Sequence, residues 1–518
     1  MAVSSMSGTG AEAAAAPTAA QKTLIMASIM LAVTMSTIDL TIANVAMPHM
    51  QGSLSAGQDQ ITWVLTSYIV AQSLMTPLMG WLAGRVGRKI IMLVSVASFT
   101  VASLACGIAT NLPEMVFFRL LQGAACASFL PLSQAILFDI NEPKDHAKAM
   151  AVFGIGVMVG PILGPFLGGW LTDNLNWRWC FLINLPVGII TFCGIWISLP
   201  KRGVRTSPPF DFIGYGTLVL FLASLQLFLD RGPSKDWFGS QEILVYFTLG
   251  CIGLYLFVIQ TLTAKTPFFS RAILRDSNFV LCCGFSFMLG LIVYASVALL
   301  PGLLQTFMHL PALNAGAAMV PRGVGTMISM LVIGRLSRPE TNIYLLAIGF
   351  ILNAIAMYLM MQFSLEMDTS PVQVAGFIQG IGIGILFVLL STMTFATIPA
   401  ELRAEAAGIY TLTRNLGSAA GISIMQALFV RNLQIAHADL AQNVTVDNPN
   451  LQGLDVYNMN SAAGVMQLDS EIIRQASLIS YLNDFKLAMI LCVVTVPLLI
   501  FLRQPKRPAA EAHHVIVE

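Results

Sequence analysis

The sequence predicts an all-α membrane protein of fourteen transmembrane helices, arranged as two six-helix bundles with two helices inserted between them. Three observations predict it: the composition, the apolar runs, and two short motifs that recur at nearly one interval. Hydrophobic residues make up 56% of the 518 residues and charged residues 10%, against about 25% charged in an ordinary soluble domain. So few charges cannot cover so much apolar side chain in water, and the bilayer is therefore the solvent. With 27 Lys and Arg against 26 Asp and Glu, the formal charge of +1 provides no basic face for nucleic acid.

A span takes about 20 mostly apolar residues. Such runs fall at 24–46, 62–83, 90–110, 113–138, 149–171, 180–199, 212–229, 243–262, 278–303, 314–334, 343–361, 373–398, 406–430 and 486–503. An even number puts both termini on one side. Residues 1–21 read as a disordered cytoplasmic tail rather than a signal peptide, because the first run starts only after Lys22 and is long enough to span. Outside the spans, 18 basic residues fall on the side that holds the termini and 6 on the other, which makes the terminal side cytoplasmic. Trp63, Trp81, Trp170, Trp177, Trp179 and Trp196 fall at or near span ends, as interfacial rings do.

The repeat sets the halves. Gly84-Arg85-Val86-Gly87-Arg88 recurs as Gly334-Arg335-Leu336-Ser337-Arg338, and Gln122-Gly123 recurs as Gln379-Gly380. The expected organisation is a bundle over 22–200, two inserted helices over 201–276, a bundle over 277–503 with an outward loop at 431–485, and a cytoplasmic tail at 504–518. The cysteines lie in or beside apolar runs and read as buried small hydrophobes, not metal ligands.

In span one, Asp39 reads as the only acid well inside an apolar run. An intramembrane carboxylate can carry a proton through an alternating-access cycle, or can serve as a structural partner for an arginine. Thr37, Thr41 and Asn44 share or adjoin its face, which should meet a cavity or partner helices. Between spans two and three, Gly84, Arg85, Gly87, Arg88 and Lys89 make a short tribasic turn that can hold helix ends and act in conformational switching, or serve only as an inside-positive anchor. Arg119 in span four, Arg322 in span ten and Arg414 in span thirteen are costly in lipid, so each should face inward towards an acid, a carbonyl or a substrate. One Asp against three Arg favours anionic or acid-bearing amphiphiles. In span five, Gly156, Gly160, Gly164 and Gly168 form a stripe for close helix contact, stiffened by Pro161 and Pro165. It reads as a rocking surface between halves or as a tight static interface.

No Gly-rich phosphate loop ending Gly-Lys-Ser/Thr and no His-Glu-x-x-His arrangement occurs, so neither an ATP-driven pump nor a metal hydrolase is expected. The reading calls for no catalytic residue, metal or cofactor.

Gly80-Trp-Leu-Ala-Gly84-Arg85-Val-Gly87-Arg88-Lys89 resembles the loop signature of the major facilitator superfamily, and Arg119-Leu-Leu-Gln122-Gly123 resembles its fourth-span signature. Gly160-Pro161-Ile-Leu-Gly164-Pro165-Phe-Leu-Gly168-Gly169 resembles its antiporter signature. Asp39-Leu-Thr41-Ile42-Ala-Asn44-Val-Ala-Met-Pro48, Trp177-Arg178-Trp179-Cys-Phe181-Leu-Ile183-Asn184-Leu-Pro186 and Arg414-Asn415-Leu-Gly417-Ser-Ala-Ala-Gly421 are similar to marks of its fourteen-span drug:proton antiporters, the EmrB/QacA type. The likeness runs from about 22 to 503. Gly84 stands where the superfamily loop commonly has Asp, so a salt-bridge latch cannot form through that position.

The resemblance implies the major facilitator fold and proton-coupled export of lipophilic or amphipathic small molecules across the cytoplasmic (inner) membrane. Asp39 and Arg119 would couple protons, and Asn44, Gln72, Gln122, Arg322 and Arg414 would line the substrate cavity. In two-membrane bacteria the implied partners are a periplasmic adaptor and an outer-membrane channel. A proton-coupled importer or a uniporter of an organic anion remains the alternative.

Overall fold

The computed structural model describes residues 18–200 and 209–502, apart from 236, 339, 443 and 445–460. Most of the two expected tails, and the basic residues Lys201, Arg202 and Arg205, lie outside the described residues. Within them the regular structure is helical, as a chain in lipid requires if each backbone donor is to find its acceptor within its own segment. In order the helices are α1 (Ala19–Ser53), α2 (Gln58–Ile61), α3 (Trp63–Val86), α4 (Arg88–Ile108), α5 (Leu112–Cys126), α6 (Phe129–Ile140), α7 (His146–Asn174), α8 (Trp179–Leu182), α9 (Asn184–Ser198), α10 (Phe212–Arg231), α11 (Gln241–Thr263), α12 (Arg271–Arg275), α13 (Ser277–Gly302), α14 (Ala312–Leu336), α15 (Asn342–Met360), α16 (Ser370–Thr394), α17 (Arg403–Ala441) and α18 (Ala462–Leu498). Eleven stretches among the described residues are long and apolar enough to cross a membrane.

Side-chain caps begin several of these helices: Thr18, Asn111, Asp211, Asp276 and Ser461 each accept a bond from a backbone N–H three residues on. Capped by Thr18, α1 starts at Ala19, inside the expected tail. Two predicted spans are each broken once. Span four divides into α5 and α6 just before Pro131, and span six into α8 and α9 just before Pro186. Each proline ring excludes the carbonyl four residues earlier. Gly87 ends α3 and opens α4 at φ 96°, a left-handed conformation that a side chain would strain.

The N-terminal helices pack chiefly on one another: α1 on α7 and α9, α3 on α5, and α4 on α5 and α9. The C-terminal helices do the same: α14 on α16, α13 on α17, α15 on α16 and α18, and α17 on α18. Between the two sets, α7 meets α14 and α16, while α17 meets α3 and α6. Of the pair α10–α11, α10 touches α3 and α17, and α11 accepts bonds from Arg271 of α12 at its end.

Two expectations need correction. The segment 431–485 is largely helix, because α17 runs on to Ala441 and α18 starts at Ala462. Ala436 and Leu468 are buried there, and His437 bonds Asp469 at 2.9 Å. Among the cysteines, Cys193 and Cys251 are exposed, each on a helix whose outer face shows large apolar side chains such as Ile189, Ile190, Ile252 and Tyr255.

Candidate functional site

Asp39 points into the N-terminal helices and is 1% exposed. Its Oδ2 accepts from Arg119 Nη1 of α5 at 2.6 Å. Its Oδ1 accepts from Gln122 Nε2, one turn along α5, at 2.8 Å and from Asn184 Nδ2 of α9 at 2.9 Å. Asn184 Nδ2 also reaches Ser103 Oγ of α4 at 3.0 Å, and Ser103 donates to Phe181 O at 2.8 Å. The carboxylate thus ties α1 to α5 and α9, and Asn184 extends the link to α4.

Arg119, 0% exposed, is held as tightly as its partner. Its Nη1 also reaches Gln122 Oε1 at 2.9 Å, and its Nε donates to Val64 O at 3.0 Å. The guanidinium lies 4.3 Å from the Tyr68 ring centroid and 5.6 Å from that of Phe181. Nη2 alone has no protein partner. Gly123 makes the geometry possible, since a Cβ there would strike the Tyr68 backbone and push α5 off α3. Removing one partner of such a buried pair exposes the other charge to about 3–5 kcal/mol of penalty. A proton on Asp39 would remove the charge that Arg119 is paired with.

The second half of the repeat builds a related site without an acid. Gln379 Nε2 donates to Ser296 Oγ at 2.7 Å, where Gln122 donates to Asp39. Ser296 lies 257 positions after Asp39, the same interval that separates Gln379 from Gln122. The cation here comes from another helix: Arg322 Nη1 of α14 meets Gln379 Oε1 at 3.4 Å. Gly380 admits α14 closely, because a Cβ would strike the Arg322 carbonyl. Arg414 is 4% exposed, its Nε and Nη1 have no partner, and its guanidinium lies 5.5 Å from the Phe387 ring. Among the described residues neither Arg322 nor Arg414 is paired with a carboxylate.

The remaining candidates are dispersed. Gln122 is committed to the Asp39 pair, Asn44 is exposed, and Gln72 is half-buried. A crevice of about 1480 Å³ opens elsewhere, at the end of α3, where it is lined by Gly80, Gly84, Arg88, Asp139, Arg403 and Glu405.

That crevice borders a junction between the two sets of helices. Arg88, from the tribasic turn, pairs with Asp139 at the end of α6, and Arg403 of α17 reaches the other oxygen of Asp139 at 3.6 Å. Glu405, in the first turn of α17, accepts from the Ser270 backbone N–H and packs its own backbone on Gly80. Phe138 meets Phe395 at 4.8 Å between ring centroids. His146 donates from Nε2 to the Phe138 and Asn141 carbonyls. Gly84 and Asp139 both line the crevice.

The glycine stripe faces α1, not the C-terminal helices. Thr34 donates to Gly156 O at 3.0 Å and Thr41 to Gly160 O at 3.1 Å. A Cβ on Gly160 or Gly164 would collide with Thr37 or Thr41. A different face of α7 meets α14, where Ile162 lies on Gly323 and Ala151 on Gly334. In this conformation the stripe is a close seam between α1 and α7 within the N-terminal helices.

Sequence reasoning passed over Asn184, Ser103, Tyr68, Asp139, Arg403 and Ser296 as functional residues. Asn184 stood inside a quoted motif, and the interval of 257 could have marked Ser296. Among the described residues no group of three or more His, Cys, Asp or Glu is placed to hold a metal.

The model of the Major Facilitator Superfamily matches residues 29–422. The chain is 33% identical over 494 residues to the multidrug export protein EmrB of Escherichia coli (strain K12), covering 94% of this chain and 96% of that protein. It is 32% identical over 492 residues to the fatty acid resistance protein FarB of Neisseria gonorrhoeae, covering 94% and 97%. Among solved structures, the human organic anion transporter MFSD10 superposes with a TM-score of 0.58 at 15% identity, over 91% of this chain and 99% of that one. This last likeness concerns the fold alone.

Proposed function

The chain belongs to the Major Facilitator Superfamily and, within it, to the EmrB type of multidrug efflux proteins, and from that premise we propose that it exports amphipathic organic molecules in exchange for protons. The Asp39–Arg119 pair carries the proposal. Among the described residues it is the ion pair whose two side chains are both fully buried, and its acid can be neutralised without losing the amide donors around it. Protonation of Asp39 frees Arg119 and loosens α5 from α1, and deprotonation on the other side restores the pair.

The eleven apolar stretches, with α3, α13 and α17 added, make the fourteen spans of a multi-pass inner-membrane protein. We take residues 22–200 and 277–503 as two bundles, 201–276 as the inserted pair, and both termini as cytoplasmic. On that topology the junction at Asp139, Arg403 and Glu405 closes the cytoplasmic side. The extensions of α17 and α18 beyond the bilayer are the surface offered to a periplasmic adaptor leading to an outer-membrane channel. A proton moved through 100 mV supplies about 2.3 kcal/mol, and each pH unit adds about 1.4 kcal/mol.

The substrate contacts are assigned to the C-terminal helices. Arg322 and Arg414 are buried cations without acids, which favours a substrate bearing a carboxylate or another anionic group. The same observation keeps a second reading in play, proton-coupled uptake or uniport of an organic anion. Purified protein in vesicles separates the two by direction. Under an imposed pH gradient, export drives substrate towards the acidic side against its own gradient, whereas uptake coupled to protons accumulates it on the alkaline side.

A further inference from the structure

We propose that Asp484 is a second proton-binding carboxyl group of this protein, carried by α18 among the C-terminal helices. The inference rests on the transport reading above but concerns a residue that reading does not use. Asp484 is 2% exposed, and neither Oδ1 nor Oδ2 has a hydrogen-bond partner. Around it, α18 packs on α13, α15 and α17. The buried cluster here contains Leu300, Met357, Phe363, Met425, Phe485 and Ala488.

No described cation answers its charge. On α18, Arg474 is engaged with Glu471 and the Phe307 carbonyl, and Lys486 is exposed. On α17, Arg414 lies over Phe387, Arg431 is exposed, and His437 is bonded to Asp469. Glu405 and Arg403 are at the far end of that helix, engaged with Ser270 and Asp139, while Asp439 lies in its outer extension. On α15 the titratable groups are the exposed Tyr344 and Tyr358, and on α13 they include Cys282 and Cys283, near its opposite end. The titratable neighbour is Tyr481, one turn earlier on α18. An ionised carboxylate placed here without a partner would lose several kcal/mol of hydration, so the group holds a proton in this conformation.

The packing beside Asp484 supplies a means of releasing that proton. Directly after α13 the chain forms a π-helical turn, Leu303–Phe307, a feature that interrupts regular helix packing. Gly302, just before it, lies under the Tyr481 hydroxyl, where an added Cβ would come within 2.8 Å. Tyr481 also contacts the rings of Phe307 at 5.9 Å and Phe429 at 4.5 Å. A shift of this turn against α18 would admit water to Asp484 and let it ionise, and reclosure would require a proton again. The register parallels the N-terminal half: α18 carries Tyr481 and Asp484 with the spacing at which Phe181 and Asn184 stand at the start of the sixth span.

Two measurements test this. In the wild-type protein, a hydrophobic carbodiimide should modify Asp484, as mapped by peptide mass, at acid pH and progressively less as pH rises. Equal modification at every pH, or none at any, would overturn the proposal. In vesicles, Asp484→Asn, which matches the protonated acid in shape, should still transport. Its equilibrium substrate ratio should change by about tenfold less per unit of imposed pH gradient than wild type, the loss of one coupled proton. An unchanged dependence would equally overturn the assignment. Should wild type show no proton-driven transport, the transport reading fails, and the labelling still reads the proton site. Should the variant not fold, the wild-type labelling decides.

Discussion

Arg403 reaches Asp139 across the boundary between the N- and C-terminal helices, at 3.6 Å, while Asp139 also holds Arg88 of its own side. A single carboxylate therefore fastens the tribasic turn and the start of α17 together. With side chains 18% and 9% exposed, the cross-boundary contact is partly screened and contributes on the order of 1 kcal/mol, enough to bias a conformational balance without locking it.

Arg403→Ala should shift that balance towards a protein open at this end. In a background without exposed Cys193 and Cys251, the rate of thiol modification at Ala404→Cys should rise about threefold to tenfold when Arg403 is also replaced. An unchanged rate would show that the contact does not hold the junction closed.

Asp39→Asn should abolish proton-driven efflux while leaving a folded protein. The Asn amide imitates the protonated acid, a species the transport cycle must itself visit, and it keeps hydrogen-bonding atoms for Gln122 and Asn184. Gel filtration in detergent checks folding, and efflux from energised vesicles checks coupling.

Arg322→Gln should discriminate among substrates. Losing a charge-assisted bond to an anionic group costs about 1.5–3 kcal/mol, so apparent affinity for carboxylate-bearing amphiphiles should fall roughly tenfold to a hundredfold, with neutral ones little affected. Competition assays with matched acid and amide compounds measure the difference.

Gly160→Ala and Gly169→Ala should diverge. The first places a methyl into Thr37 across a seam with no space, costing on the order of 1–3 kcal/mol, whereas the second meets nothing within 4 Å. Thermal unfolding in detergent should show a fall for the first and no loss for the second.

Asp39 and Arg119 were legible in the sequence because ionisable residues inside an apolar run are rare and need a reason. Their neutral partners were not, since Ser103, Tyr68 and Asn184 are ordinary in helices and only the tertiary arrangement brings them to one carboxylate. The glycine stripe announced a close contact without naming its partner: four-residue spacing fixes a helix face, and only packing shows that α1 covers it. Asp484 escaped notice because it precedes the apolar run at 486–503. It counts as buried only once α18 is one helix from Ala462 onward.

The central claim is that neutralising Asp39 drives the change of access, and substrate accumulation in vesicles at stepped pH gradients tests it most directly. Wild type should show an accumulation ratio that climbs with each step, and Asp39→Asn, unable to change access, should accumulate no substrate at any step. A variant whose accumulation still follows the pH gradient as wild type does would contradict the account.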